Sequence, residues 1–407
     1  LIGLRRIANG RHMRLLPMIF ACAALVVSVS GESAAKDLVE AGILTAPRLR
    51  ETLSILDRPA EDDGIAGAKL GVQDDNTTGR FLGQEFRLEA VRLEPGSDPR
   101  PALERLAKGG AFYVLANLPA DDLVSLADAA RDKNILVFNI GAPDQSLREE
   151  NCRANLIHVV PSHDMLADGL AQYLAWKQWK RWLLIKGSHP RDELYAMALR
   201  RAAKKFGAAI VEERVYEDRG GGRRSDSGSV QTQRLIPVLT QNAPAYDVLV
   251  AADESEVFAN YLPYRTYDPR PVVGSAGLKP LSWDASHEQW GAIQLQNRFV
   301  KLAGRVMSER DHAAWVAMRM IGEAATRAGT TEPDAIRAYL FGPDFSIAAF
   351  KGQKLTLRPW NLQLRQPVLL GDGRMIVSVS PQEGFLHQVS ELDTLGLDRP
   401  ETRCRLK

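Results

Sequence analysis

At 407 residues the chain is too long for one compact core of ordinary size, and 45% hydrophobic with 25% charged residues is the composition of a globular protein in two domains. Its 52 basic and 50 acidic residues nearly cancel, so there is no basic excess to recruit nucleic acid or an anionic membrane surface.

Residues 1–33 read as an upstream extension and a signal peptide. Met13 and Arg14 lead into an apolar run from Leu15 to Val29, followed by Ser30, Gly31, Glu32, Ser33, Ala34 and Ala35. A positive start, a short apolar stretch and a small-residue exit are the parts of a secretory signal. The run falls short of the roughly 20 residues that span a bilayer as a helix. Cys22 lies inside it and is not read as a lipid attachment site. Removing Arg5, Arg6, Arg11, Arg14 and Glu32 takes the formal charge from +2 to −1. Cys152 and Cys404 remain, and in an oxidising compartment such a pair is expected as a disulfide that ties the tail to the middle of the chain.

Asp37 to Arg50 reads as a helical or irregular lead-in, and Leu53 to Leu56 as a first strand ended by Asp57-Arg58-Pro59. Ile65, Ala68, Leu70 and Val72, with Gly67 and Gly71, predict a helix packed closely on a sheet. Strands at 86–91, 112–115 and 135–138 alternate with helices at 101–108 and 121–133. After Val159-Val160-Pro161-Ser162 the pattern restarts. Helices at 165–178 and 192–206 alternate with strands at 182–185, 209–211 and 248–250. Residues 218–229, rich in glycine, serine and charge, predict a mobile surface loop. A helix through Leu235 and Leu239, another at 255–261 and a strand at Val272-Val273 complete the second unit. Continuous apolar strands alternating with helices imply parallel sheets buried on both faces. Late helices at 312–328 and 333–340 and strands at 354–357, 363–365 and 375–379 follow, with Asp372-Gly373 as a turn signal. This third piece completes the earlier units, so the chain crosses between them more than once.

Enzyme signatures are missing: no G-x-S-x-G elbow, phosphate loop, H-E-x-x-H or strand-linked G-x-G-x-x-G occurs. Gly220-Gly221-Gly222 has no preceding strand. His158, His163, His189, His287, His312 and His387 have no metal-ligand spacing and read as capping or surface residues. Three acidic groups follow strand ends: Asp57, Glu61, Asp62 and Asp63; Asp192-Glu193; and Asp253, Glu254 and Glu256. Open α/β sheets bind ligands there, although acids in the first turn of a helix have the same pattern. Trp283, Trp290 and Trp360 fit either a ligand pocket or domain-boundary packing.

The order of elements and residues 151–216 (NCRANLIHVVPSHDMLADGLAQYLAW to GAAIVEERVY) resemble type I periplasmic binding proteins of the branched-chain amino acid class. So do NIGAPDQSLRE (139–149) and EPDAIRAYLFGPDF (332–345). A narrower likeness lies in GAKLGVQDDNTTGRFLGQEF (67–86), LRPWNLQLRQPVLL (357–370) and LDTLGLD (392–398). These resemble the substrate-binding component of the ABC system associated with PQQ-dependent alcohol dehydrogenases. The resemblance implies an α/β fold of two lobes, each a mostly parallel sheet flanked by helices, with a ligand cleft between them. Lobe 1 would take 34–160 and about 291–362, lobe 2 161–290 and about 363–407, with crossings near Pro161, Trp290 and Leu362.

It further implies a periplasmic monomer that holds a small solute, uses no cofactor or metal, and docks on a membrane permease and its ATPase. The loops DRPAEDDG (57–64) and ANLPADD (116–122) lack the serine and threonine expected around an amino acid carboxylate. An acidic first loop suits a cation, a metal chelate or a polyol better. Strand-end position marks Asp57, Asn117, Asn139, Ala142, Ser188, His189, Asp253 and Trp283 as candidate ligand-facing residues. Two other classes stay open: an exported receptor or scaffold that transports nothing, and a hydrolase on a similar fold.

Overall fold

The computed structural model describes residues 37–46, 59–218 and 226–406. The first lobe is built on β1 (Asp37–Thr45), α1 (Ile65–Leu82), β2 (Gln84–Arg92), α2 (Arg100–Lys108), β3 (Tyr113–Asn117), α3 (Ala120–Arg131), β4 (Leu136–Asn139) and β5 (Leu156–His158). Its strands are all parallel, in the order β2-β1-β3-β4-β5. The lead-in read as helical or irregular is thus β1, an interior strand. Glu40 and Gly42 break its apolar run, and Gly42 is there for packing. A Cβ on it would lie 2.4 Å from Leu106 of α2. The expected strand at 53–56 lies outside the described residues.

The second lobe follows with α4 (His163–Trp176), β6 (Arg181–Gly187), α5 (Pro190–Lys205), β7 (Ala209–Tyr216), α6 (Asp226–Thr240), β8 (Val248–Ala252), α7 (Leu262–Arg265) and β9 (Val272–Gly274). The parallel order is β7-β6-β8-β9. Helix α6 starts inside the stretch read as a loop, and 219–225 lie outside the described residues. The expected helix at 255–261 is a set of turns closed by a short 3₁₀ segment. A carboxylate described below takes up the amides that a helix would have used.

β10 (Lys279–Leu281), α8 (Ala292–Ala303), α9 (Glu309–Ala328), α10 (Pro333–Leu340), β11 (Ile347–Ala348), β12 (Lys354–Leu355), β13 (Val368–Gly371) and β14 (Ile376–Ser380) complete the chain. β10, β13 and β14 form an antiparallel sheet against α4, with the Asp372-Gly373 turn joining the last two. Gly67 and Gly71 of α1 do allow a close approach, but to α9 and not to the sheet. A Cβ on Gly67 would lie 1.9 Å from the Asp311 carbonyl.

Apolar side chains place the passages between lobes. Val159 and Val160 belong to the first lobe's core and Met165 to the second's; Trp283 is back in the first, Leu364 is still there, and Val368 is in the second. Trp290 lies beyond the second passage. Polar side chains stitch the first and third passages together. Gln363 donates from Nε2 to the carbonyls of His158 and Val160, both at 3.1 Å, and accepts from Arg148 Nε at 2.9 Å. Arg148, itself buried, also donates to Val160 O at 2.9 Å. Such groups are tolerated inside because nearly every donor is matched.

The tail is bound to both lobes. Lys205 of α5 donates to the carbonyls of Thr394 and Gly396, both at 2.9 Å, and Leu395 packs into the second core. Arg358 donates to Asp393 Oδ1 at 2.8 Å and to Leu395 O at 2.7 Å, and Arg365 Nε donates to both Asp393 oxygens. Farther on, Glu149 accepts from Thr402 Oγ1 and Arg403 N, and Cys152 and Cys404 form a disulfide with Cα atoms 5.8 Å apart.

Candidate functional site

Between the lobes lies a cleft of about 370 Å³. The second lobe's wall starts where β6 runs into α5. His189 caps that helix, Pro190 opens it, and buried Asp192 accepts His189 N at 3.1 Å and Ser255 N at 2.9 Å. The loop after β6 is thereby tied to the loop after β8, and Arg191 and Tyr195 of α5 face the cleft.

At the end of β8 stand Asp253 and Glu254. Asp253 accepts the amides of Val257, Phe258 and Ala259 at 2.8, 2.8 and 2.7 Å, and its own N–H donates to Ser275 Oγ at 2.8 Å. Burial pushes its carboxyl up to about 6, against the pull of those three amides. The neighbouring Glu254 lies 3.7 Å from His163 Nε2 and 4.0 Å from Arg191 Nη2. Tyr195 is buried, and its hydroxyl has no hydrogen-bond partner among the described residues. Burial, then the Glu254 carboxylate, raises the phenol and keeps it protonated. A protonated hydroxyl can donate to a guest or accept from one.

The first lobe contributes Ile140, Gly141 and Pro143 after β4, and Glu309 and Arg310 at the start of α9. Ser308 caps that helix with Asp311 in reciprocal hydrogen bonds. Glu309 accepts from Ser282 N at 2.7 Å and Ser282 Oγ at 2.6 Å, which joins it to the second passage. Arg310 lies 3.5 Å from Asp63, and Lys279 completes the charged lining. Acids, bases and hydroxyls around a recess of this size suit a small polar guest.

Of the residues marked by strand-end position, only Asp253 lines this cleft. Asp57 lies outside the described residues. Asn139 is consumed locally: Oδ1 accepts Gly141 N at 3.1 Å and Ala142 N at 2.9 Å, and Nδ2 donates to Ala142 O at 2.8 Å. Ala142 is buried beneath that turn. Asn117 is buried beside Gly141, and its Oδ1 is unpartnered among the described residues. Ser188 and His189, in the loop after β6, both turn to Asp218 after β7: Ser188 Oγ accepts Asp218 N at 3.0 Å and His189 meets the Asp218 carboxylate at 2.7 Å. Trp283 is not in the cleft. It is buried in the first core, stacked on His312 at a ring separation of 4.1 Å.

His158, His163, His287 and His312 are buried as well, not capping or surface residues as their scatter implied. They pack against aromatic rings or bond to polar groups of the interior; His287, for instance, meets the Phe350 carbonyl at 3.0 Å. The acidic groups do not converge. Asp62 pairs with Arg305 at 2.9 Å, Asp63 with Arg310, and Glu193 with Arg200 at 2.7 Å. Among the described residues no cluster of three histidines, cysteines or acids could hold a metal ion. His163, the histidine beside the cleft, faces Glu254 and the Tyr195 ring.

Sequence reasoning missed Arg191, Tyr195, Lys279, Glu309 and Arg310. The Ser308-x-x-Asp311 capping box and the Pro190 helix start were signals for three of them, since both helices begin at the cleft. Lys279 had none, because β10 is only three residues long.

The sequence pattern of the periplasmic binding protein family matches residues 57–225. Among solved structures, a branched-chain amino acid ABC transporter periplasmic ligand-binding protein from Burkholderia xenovorans superposes with a TM-score of 0.66 at 16% identity. The match covers 84% of this chain and 95% of that one. An amino acid ABC transporter substrate-binding protein from Pseudomonas fluorescens gives 0.64 at 12%, covering 91% and 100%. A solute-binding protein from R. palustris in complex with benzoate gives 0.61 at 12%, also covering 91% and 100%. No curated protein sequence matches the chain significantly. At these identities the likeness establishes the fold: two-lobed α/β, as in periplasmic binding proteins.

Proposed function

We propose that this chain is the periplasmic solute-binding component of an ABC transporter, which captures a small polar solute between its lobes and presents it to a membrane permease and its ATPase. The observation that carries the reading is the cleft of about 370 Å³ with walls from both lobes. A guest that touches Tyr195, Arg191 and Glu254 on one side and Gly141 and Arg310 on the other binds the closed arrangement better than an open one. It shifts the population by that difference in affinity. Its chemistry is that of a small zwitterion, polyol or cationic chelate, with charges of both signs to meet. The R. palustris relative was solved in complex with benzoate, and an oxyanion of that kind suits the space between Arg191, Lys279 and Arg310 here.

Service to PQQ-dependent alcohol oxidation rests on the phrases at 357–370 and 392–398. In the fold these phrases meet, because Arg358 and Arg365 of the first grip Asp393 of the second. They shape the crossing and not the cleft, so they support kinship without naming a guest. A second reading, a receptor that transports nothing, draws on the tail: held by α5 and disulfide-bonded to the first lobe, it restrains lobe movement.

A thermal-shift screen of amino acids, polyols, organic acids and lanthanide chelates, followed by small-angle scattering with each hit, tests the choice. Transport predicts a hit that also lowers the radius of gyration. A hit with unchanged dimensions supports the receptor.

A further inference from the structure

Beside the edge strand β5 lies a larger recess of about 660 Å³, which shares no lining residue with the cleft. Its size is ordinary for a drug-sized ligand. Phe341, Phe345, Leu357 and Leu362 supply apolar surface, and Leu406 of the tail forms one side, held by the nearby disulfide.

Two guanidinium groups reach the same recess, and no acidic residue lines it. Arg337 of α10 donates to Asn134 Oδ1 and lies over the Phe341 ring, without an ion pair among the described residues. Arg365 spends Nε on Asp393 and Nη1 on Thr356 Oγ1 and Leu357 O, at 3.2 and 2.7 Å. Its Nη2 makes no hydrogen bond among the described residues.

We propose that this recess is a second binding site, for a small amphipathic organic anion: an aromatic or branched apolar body bearing one carboxylate or sulfonate. The aromatic and aliphatic walls take the body. The head lies toward Arg337 and the spare edge of Arg365, where a planar guanidinium pairs with an oxyanion. The cleft offers acids and bases together, whereas here charge complementarity selects one sign. The inference stands whether or not the cleft carries a transported solute.

The test uses the mature, disulfide-intact chain with 8-anilinonaphthalene-1-sulfonate and its uncharged relative N-phenyl-1-naphthylamine. The expected result is one saturable site for the sulfonate, with hydrogen-exchange protection at 337–345 and 356–365. Arg337→Gln weakens the sulfonate at least tenfold and changes the neutral amine less than twofold. Leu406→Trp, which fills the recess from the tail, weakens both. The proposal is overturned by an absence of saturable binding, by protection centred on 253–259, or by affinities that neither substitution changes.

Discussion

On the second lobe's wall of the cleft, adjacent carboxylates have opposite roles: Asp253 is spent on three backbone amides, while Glu254 stands beside Arg191 and His163. Behind the first lobe's wall two buried asparagines divide in a similar way. Asn139 closes the turn after β4, and Asn117 keeps an unpartnered Oδ1. On both sides, then, one of two like residues is consumed in building a strand-end loop and the other is not. Position at a strand end identifies the loop. Only hydrogen-bond accounting identifies which side chain that loop consumes.

The contrast breaks most visibly under Asp253→Ala. Three buried amides lose their acceptor, and unfolding in urea is expected to show a loss of about 3–5 kcal/mol. Glu254→Gln costs under about 1 kcal/mol in the same experiment but weakens the solute tenfold or more, about 1.4 kcal/mol. If the two variants are equally destabilised, the division of roles is wrong.

The tail extends the comparison beyond the cleft. Cys404→Ser releases a closure across a sequence separation of 252 and is expected to cost about 2–5 kcal/mol of stability. Denaturation with and without reductant measures it, and reductant should then have no further effect on the variant.

Lys351 sharpens the first lobe's side. Its Nζ donates to Gln366 Oε1 at 2.7 Å at the third passage, and burial pushes its ammonium down to about 7. The unfolded chain holds that proton up to its ordinary value near 10.5. Between these values the unfolded state binds more protons, so this group makes stability rise with pH from about 7 to about 10. Lys351→Met flattens that slope in urea titrations across the range; a slope unchanged in the variant assigns it to other groups.

The smallest effects separate the asparagines. Asn139→Ala costs about 1–3 kcal/mol because the turn amides are left unpaired. Asn117→Ala costs under about 1 kcal/mol, since its Oδ1 has no bond to lose. A solute that reaches Asn117 is weakened by the latter change alone.

Much of the fold was legible because fully buried strands such as Val114-Leu115 and Leu249-Val250 are apolar without interruption. β1 was not, since Glu40 and Gly42 interrupt it for reasons that lie in a neighbouring helix. The glycines of α1 announced a close approach but not its partner, which is more than two hundred residues away in α9. Position alone marked both Asp253 and Asn139, yet only the former lines the cleft, because nothing local reveals where a turn's amides go. Lys279 and Tyr195 are brought to the cleft by tertiary packing alone. The phrases at 357–370 and 392–398 were visible as sequence, yet their meeting through Asp393 depends on the path of the tail.

Native mass spectrometry of protein taken gently from its native cells tests the central claim most directly. The account predicts one bound solute per chain on the natural protein, and its loss from the folded Tyr195→Phe/Glu254→Gln variant. A solute that stays bound to that variant, or a natural protein that is bare where weak complexes survive, would contradict it.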